Sequence, residues 1–392
     1  MAKPFDPRKM LRQISNTLLR EYFDQRGELG DVPWDNLTET QIEPIFQAWQ
    51  SLPEDQCKEV HLVFHDINEL TDERGLSVLA EEINWRCPER LAAFTALDGR
   101  ADRAMWVYLY ARAAFNEAAL FARADALEAG RYWIKRNGLP TQAVASDDQV
   151  RGGLQAALSE FYWPTQLRGR HCSIDHYTRA NGAEYFFAYL DDYPDAHVVF
   201  DDTGNVVKRT DRYAFQNVFV FTPTDGSLDL FARGGGKVYT PLQQAFCRAV
   251  LGVEVGPEDP LRPAYQLDHL LNPNCPLATD PADRIAEVRV TRLRLEWRDA
   301  FGRYIEIRAN PKGPPDEVYQ MIENDLNIHS VAPSRVRVRQ AGFRLTFMSD
   351  NGAKPKTLSF NVSCPNSCDL KSKPDEMRAI GERCLRLWGV TQ

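Results

Sequence analysis

The apolar residues of this chain change period once along its length, from three-to-four to two. That switch restricts the fold to a helical front followed by sheet. After Asp6-Pro7, a cap and first helical position, Met10, Leu11, Ile14, Leu18, Leu19, Tyr22 and Phe23 recur at helical spacing until Gly27 and Gly30 end the run. Thr40-x-x-Glu43 and Ser51-x-x-Glu54 have the form of capping boxes, and the second precedes Val60, Val63, Phe64 and Ile67 on one helical face. Further helices are expected over residues 76–85 and within the alanine-rich stretch 101–136, which Asn137-Gly138-Leu139-Pro140 stops. No repeat of fixed period appears, so a helical solenoid is not expected.

Residues 140–160 read as a boundary, since Pro140 through Gly153 is polar with little periodicity before Leu154. Beyond it Tyr185, Phe187 and Tyr189 alternate with Phe186, Ala188 and Leu190, which predicts a strand buried on both faces. Short strands follow around 197–200, 205–208, 215–221 and 228–231, with turn chemistry at Asp201-Asp202-Thr203-Gly204-Asn205 and Thr224-Asp225-Gly226. Thr240-Pro241-x-Gln243 predicts a helix to about residue 250, and a second short one covers 265–271. In the last part, strands 285–298 and 303–309 lead through Pro314-Pro315 into a helix, and strands 335–347 and 356–363 lead into a helix over 374–388. Strand–strand–helix thus occurs twice, the pattern of one four-stranded antiparallel sheet with two helices. The expected class is α+β, with an all-helical acidic domain over 1–140, a β-hairpin region over 155–275 and the duplicated unit over 280–392.

Charge is segregated along the chain. Positions 1–150 hold 17 basic and 25 acidic residues, which is the whole net charge of -8. Wholesale nucleic-acid binding is therefore not expected. Arginine outnumbers lysine 36 to 11, which fits a GC-rich bacterial genome as well as two-pronged contacts to anions. Eight scattered cysteines, no apolar run of membrane-spanning length and a start without an apolar leader predict a soluble, cytoplasmic protein with reduced thiols.

The arginines of the last part alternate with apolar residues. Arg292, Arg294 and Arg298 interleave with Leu293, Leu295 and Trp297, and Arg335, Arg337 and Arg339 with Val336 and Val338. Period two puts the arginines on the face away from the core. Either this is a solvated sheet face that discourages edge-to-edge aggregation, or it is a platform for an anionic partner. Aromatic residues lie on the apolar parity, so base stacking on single strands is not favoured.

Other groups carry chemistry on paper. His61, His65 and Glu69 fall at four-residue intervals on one helix, a spacing that suits a metal. Cys364-Pro-Asn-Ser-Cys368 is one residue wider than a zinc knuckle and has no second pair. Cys172 and His176 would share a face of one strand, as a nucleophile and base could. Asp191, Asp192, Asp195, Asp201 and Asp202 crowd two turns around His197 and could hold Mg2+. Each set has a plain structural alternative in helix faces and turns. A nuclease Glu-x-Lys is missing, since Glu287, Glu296 and Glu306 are each followed two residues on by arginine, which cannot carry a proton. Arg233-Gly-Gly-Gly-Lys237 lacks phosphate-loop spacing and reads as a glycine turn between strands.

The expected function is a non-catalytic recognition or assembly protein. It would bind an anionic partner, nucleic acid or an acidic protein surface, through the arginine face, and another protein or a second copy through the helical domain. The alternative is a metal-dependent hydrolase or nuclease built on the Asp191–Asp202 carboxylates with His197. No cofactor and no membrane contact are expected.

Overall fold

In a computed structural model the described residues are 5–130, 132–145, 147–201, 203–257, 263–300, 302–310, 313–325, 333–349 and 355–391. The chain divides into two compact units, Met1–Ala126 with Lys373–Met377, and Leu127–Ser372 with Arg378–Gln392. Helices dominate the first and two antiparallel sheets the second, so the fold class is α+β. Among the described residues no helix is long and apolar enough to cross a membrane.

The first unit contains α1 (Pro7–Leu11), α2 (Asn16–Arg26), α3 (Glu43–Gln50), α4 (Glu54–Glu69), α5 (Glu73–Arg86), α6 (Leu91–Ala96), α7 (Arg100–Tyr110) and α8 (Arg112–Ala126). Asp6 caps α1, and Gly27, in the left-handed region, ends α2. Neither expected capping box forms. The caps of α3 and α4 are Ile42 and Pro53, and Ser51 Oγ donates back to Gln47 O instead. The apolar faces meet in an aromatic core, with Tyr22 and Phe64 rings 5.4 Å apart and Trp49 and Phe64 5.2 Å apart.

The second unit begins with β1 (Trp133–Arg136) and α9 (Asp148–Gln166), followed by β2 (Cys172–Thr178), β3 (Glu184–Phe200), β4 (Val206–Thr222), β5 (Ser227–Phe231) and α10 (Gly236–Phe246). Its first sheet has the order β1-β5-β4-β3-β2. β3 is buried on both faces at its start, as its alternation predicts: Tyr185, Phe186, Phe187, Ala188 and Leu190 are all buried. One face packs under α9 and α10. Leu154, Leu158 and Tyr162 of α9 and Phe246 of α10 join Phe186, Phe219 and Phe221 in one cluster.

Three further features, around the first sheet, differ from the sequence reading. The polar stretch taken as a boundary leads into α9, whose first turn is capped by Asp147, accepting from Val150 N at 2.9 Å. Residues 133–136 are a strand and not the end of a helix. The glycine run joins β5 to α10, not strand to strand, and α10 starts at Gly236, ahead of Pro241. A Cβ on Gly234 would lie 2.4 Å from Val238, so the close approach of that turn to the helix requires glycine.

The second sheet comprises β6 (Ile285–Trp297), β7 (Tyr304–Arg308), β8 (Val336–Phe347), β9 (Thr357–Ser363) and β10 (Ser367–Cys368), in the order β10-β9-β8-β6-β7. α11 (Glu317–Asp325) follows β7 and α12 (Asp375–Leu387) follows β10, so strand–strand–helix does recur. β10 makes the sheet five-stranded where four strands were expected. The expected Asp350-Asn351-Gly352 turn lies outside the described residues. Trp388, just past α12, packs against Phe343 of β8 with ring centroids 4.9 Å apart.

Phe246 contacts Phe186, Phe219 and Phe221 at 5.4, 5.2 and 6.2 Å and has no exposed surface. Phe246→Ala should therefore cost about 3–5 kcal/mol. A lowered urea midpoint with an unchanged slope would show it.

Candidate functional site

Of the six arginines expected on the second sheet, Arg292, Arg294, Arg337 and Arg339 lie in strands, whereas Arg298 follows the end of β6 and Arg335 ends a 3-10 turn before β8. The register sets Arg294 opposite Glu306 and Gln340, Arg292 opposite Arg308, and Glu296 opposite Arg337 and Tyr304. A bulge on β6 between Val290 and Arg292 keeps Leu293 and Leu295 in the core despite the parity flip, and one on β8 at Arg339 does the same for Val336 and Val338. What the sequence did not reveal is the partner of each cation. Arg337 donates to Glu296 at 2.8 Å, and Arg335 to Asp299 at 2.5 Å. Arg298 pairs with Asp268, Arg292 donates to Asn361 at 2.9 Å, and the Arg294 guanidinium lies 3.5 Å from the Tyr304 ring centroid. The Arg339 carbonyl accepts the Cys364 amide at 3.0 Å. Five of the six thus have an internal side-chain partner. Burial alone would raise the Glu296 carboxyl, but Arg337 and the Gly302 amide outweigh it and hold the group below its usual range.

The aspartates of the expected metal cluster do not converge. Asp191 pairs with Arg212 at 3.0 Å and accepts the His171 amide at 2.7 Å. Asp192 pairs with Arg168 at 3.1 Å. Asp195 lies 3.5 Å from His197. Asp201 accepts from the Thr203 and Asn205 amides and so closes a turn. Asp202 lies outside the described residues. At about 3.3 Å per residue, Asp191 and Asp201 stand roughly 30 Å apart along one strand, too far to share an ion.

The residues of the other sets have contacts of their own. His61 contacts the rings of Phe5 and Trp49 at 5.0 and 5.6 Å. Among the described residues the one set with ligand atoms mutually within 4.8 Å is His65, Asp66 and Glu69, and Arg123 pairs with both of those carboxylates. Cys172 is half-buried and its thiol is pushed up to about 12 by burial, while His176 is engaged by Glu184 at 2.7 Å. Burial there works against the thiolate that a nucleophile needs. Burial also raises Cys364 and Cys368.

The carboxylates belong instead to the feature that sequence reasoning missed. β3 and β4 pair without interruption from Glu184↔Phe221 to Phe200↔Val206, with one bulge between Asp191 and Pro194. β2 accompanies β3 only to Leu190, and β5 accompanies β4 only from Val218. Beyond those points a two-stranded arm runs on for roughly 20 Å past Pro194. Its root is clamped: Tyr193 Oη donates to Gln166 O at 2.6 Å, and the Arg168 guanidinium sits 4.1 Å from the Phe215 ring centroid. Its far end is bare and apolar, with Val198 73%, Phe200 75% and Val206 62% exposed. The register puts Pro194, Ala196, Val198 and Phe200 on one face with Val206, Lys208, Thr210 and Arg212. The opposite face carries the Asp195–His197 and Arg209–Asp211 contacts. The signal lay in the turn-like aspartates, which form a bulge inside a long strand and not the end of a short one.

No family model, no curated protein and no solved structure matches this chain.

The depressed Glu296 group contributes stability that is present above its unfolded value, about 4.3, and is lost as pH falls through its folded value. Glu296→Gln should accordingly lower the unfolding midpoint at neutral pH. The gap from wild type should close in acid, as denaturant titrations at stepped pH would show.

Proposed function

We propose that this protein is a non-catalytic recognition or assembly protein whose β3–β4 arm docks on another protein chain, either a different partner or a second copy. The observation that carries the reading is the apolar tip. A two-stranded ribbon gains little stability in water on its own, yet this one exposes Val198, Phe200 and Val206 together. Contiguous exposed apolar side chains of this kind mark interaction surfaces. The arm also offers unpaired strand edges on both sides, which a partner's backbone can extend. Its charges are mixed, with Asp195, Asp201 and Asp211 against Lys208, Arg209 and Arg212. That balance suits a protein surface better than a phosphate backbone. The internally paired arginine face and the dispersed aspartates give an anion platform and a metal-dependent hydrolase less support than the arm has.

The test is the triple variant Val198→Ser, Phe200→Ser, Val206→Ser, compared with wild type for circular dichroism, for mass in solution by light scattering, and for proteins co-purified from the source cells. Because these side chains leave the core untouched, the variant should keep its spectrum and thermal midpoint. It should lose a self-association or a specific co-purified partner that wild type shows. Identical mass and identical partners for both proteins would overturn the proposal.

A further inference from the structure

A second feature of the sheet-bearing unit points to a small ligand, independently of the arm. The two sheets meet edge to edge where Lys135 N–H of β1 donates to Asn366 O, just before β10, at 2.7 Å. Beside that junction lies a cavity of about 580 Å3, an ordinary size for a small-molecule site. Lys135 lies opposite Asp229 in the register, so period two places Trp133, Lys135, Ser227 and Asp229 on one face of the first sheet. All four line the cavity, and α12 adds Glu382 and Arg386.

The charges there balance. Lys135, Lys371 and Arg386 face Asp225, Asp229 and Glu382. One pair is internal: Lys371 Nζ lies 3.4 Å from Asp229 and 5.0 Å from the Trp133 ring centroid. Burial would raise the Asp229 carboxyl, but Lys135 and Lys371 outweigh it and keep the group ionised. Setting that pair aside leaves Lys135 and Arg386 against Asp225 and Glu382, so the lining presents both signs. In the same wall Trp133 Nε1 and Ser227 Oγ are buried without a hydrogen-bond partner among the described residues. Buried polar atoms are ordinarily paired. An indole N–H can only donate, so whatever meets it must accept.

We infer that this cavity binds a small zwitterion of amino-acid size, its carboxylate toward Trp133, Ser227 and the cationic side chains, and its ammonium toward Glu382 and Asp225. A ligand with only negative charge would meet two uncompensated carboxylates. One with only positive charge would leave the indole N–H unmet.

Calorimetric titration of the full chain with the free α-amino acids tests this, followed by the N-acetyl and carboxamide derivatives of the best binder. Saturable binding by at least one amino acid is expected, and each blocked derivative should bind about tenfold more weakly or worse. Glu382→Gln should weaken the parent amino acid and leave the N-acetyl derivative unaffected. Asp225→Asn, at an exposed turn, provides the same comparison if Glu382→Gln does not fold. The inference is overturned if no amino acid binds at about 10 mM, or if the blocked derivatives bind as tightly as the parent. Neither outcome bears on the arm, whose tip residues lie outside the cavity lining.

Discussion

The continuous antiparallel pairing of β3 with β4 is the constraint on which the sheet-bearing unit depends. One ladder, running from Glu184↔Phe221 to Phe200↔Val206, serves two environments. Its inner half is buried on both faces and anchors α9 and α10. Among the described residues its outer half has no flanking strand. The bulge between Asp191 and Pro194 lies at the change of environment. It adds one residue to β3 alone, so the parity of β3 inverts there while that of β4 does not. Val198 and Phe200 thereby continue the face of Val218 and Val220, although Phe186, Ala188 and Leu190, of the same sequence parity, face the helices.

The root of the arm shows why the aspartates are where they are. Asp191 and Asp192 hold Arg212 and Arg168, and Arg168 in turn lies over Phe215. Gly169 belongs to the same clamp. It donates to Asp191 O at 2.7 Å with a left-handed φ of 71°, and a Cβ there would approach Tyr162 to 2.8 Å. Asp191 and Asp192, which looked like part of a metal site from their spacing, pair with arginines at the root of the ribbon.

Much of the architecture was legible because periodicity reports burial directly. The helical front, the doubly buried β3 and the repeated strand–strand–helix all follow from which positions are apolar. α9 was legible too: Val150, Leu154, Leu158 and Tyr162 recur every four residues behind the Asp147 cap, but the polar residues before Leu154 masked the pattern. The candidate sites were less legible, since charge pairing joins residues far apart in sequence. Arg337 meets Glu296 across 41 positions and Arg298 meets Asp268 across 30. Parity placed the arginines on a face but could not supply their counterions. The cavity was out of reach for the same reason, as Trp133, Ser227 and Glu382 come together only through the junction of two sheets.

Hydrogen exchange resolved along residues 193–213 tests the arm most directly. Beyond the ladder itself, a bare ribbon has nothing to slow its edge amides. In the isolated chain the outward-facing edge amides of this segment should exchange fast. In material isolated gently from the source cells, a bound partner should slow the same amides while the core strands stay unchanged. Equally fast exchange of the segment in both preparations would contradict the account.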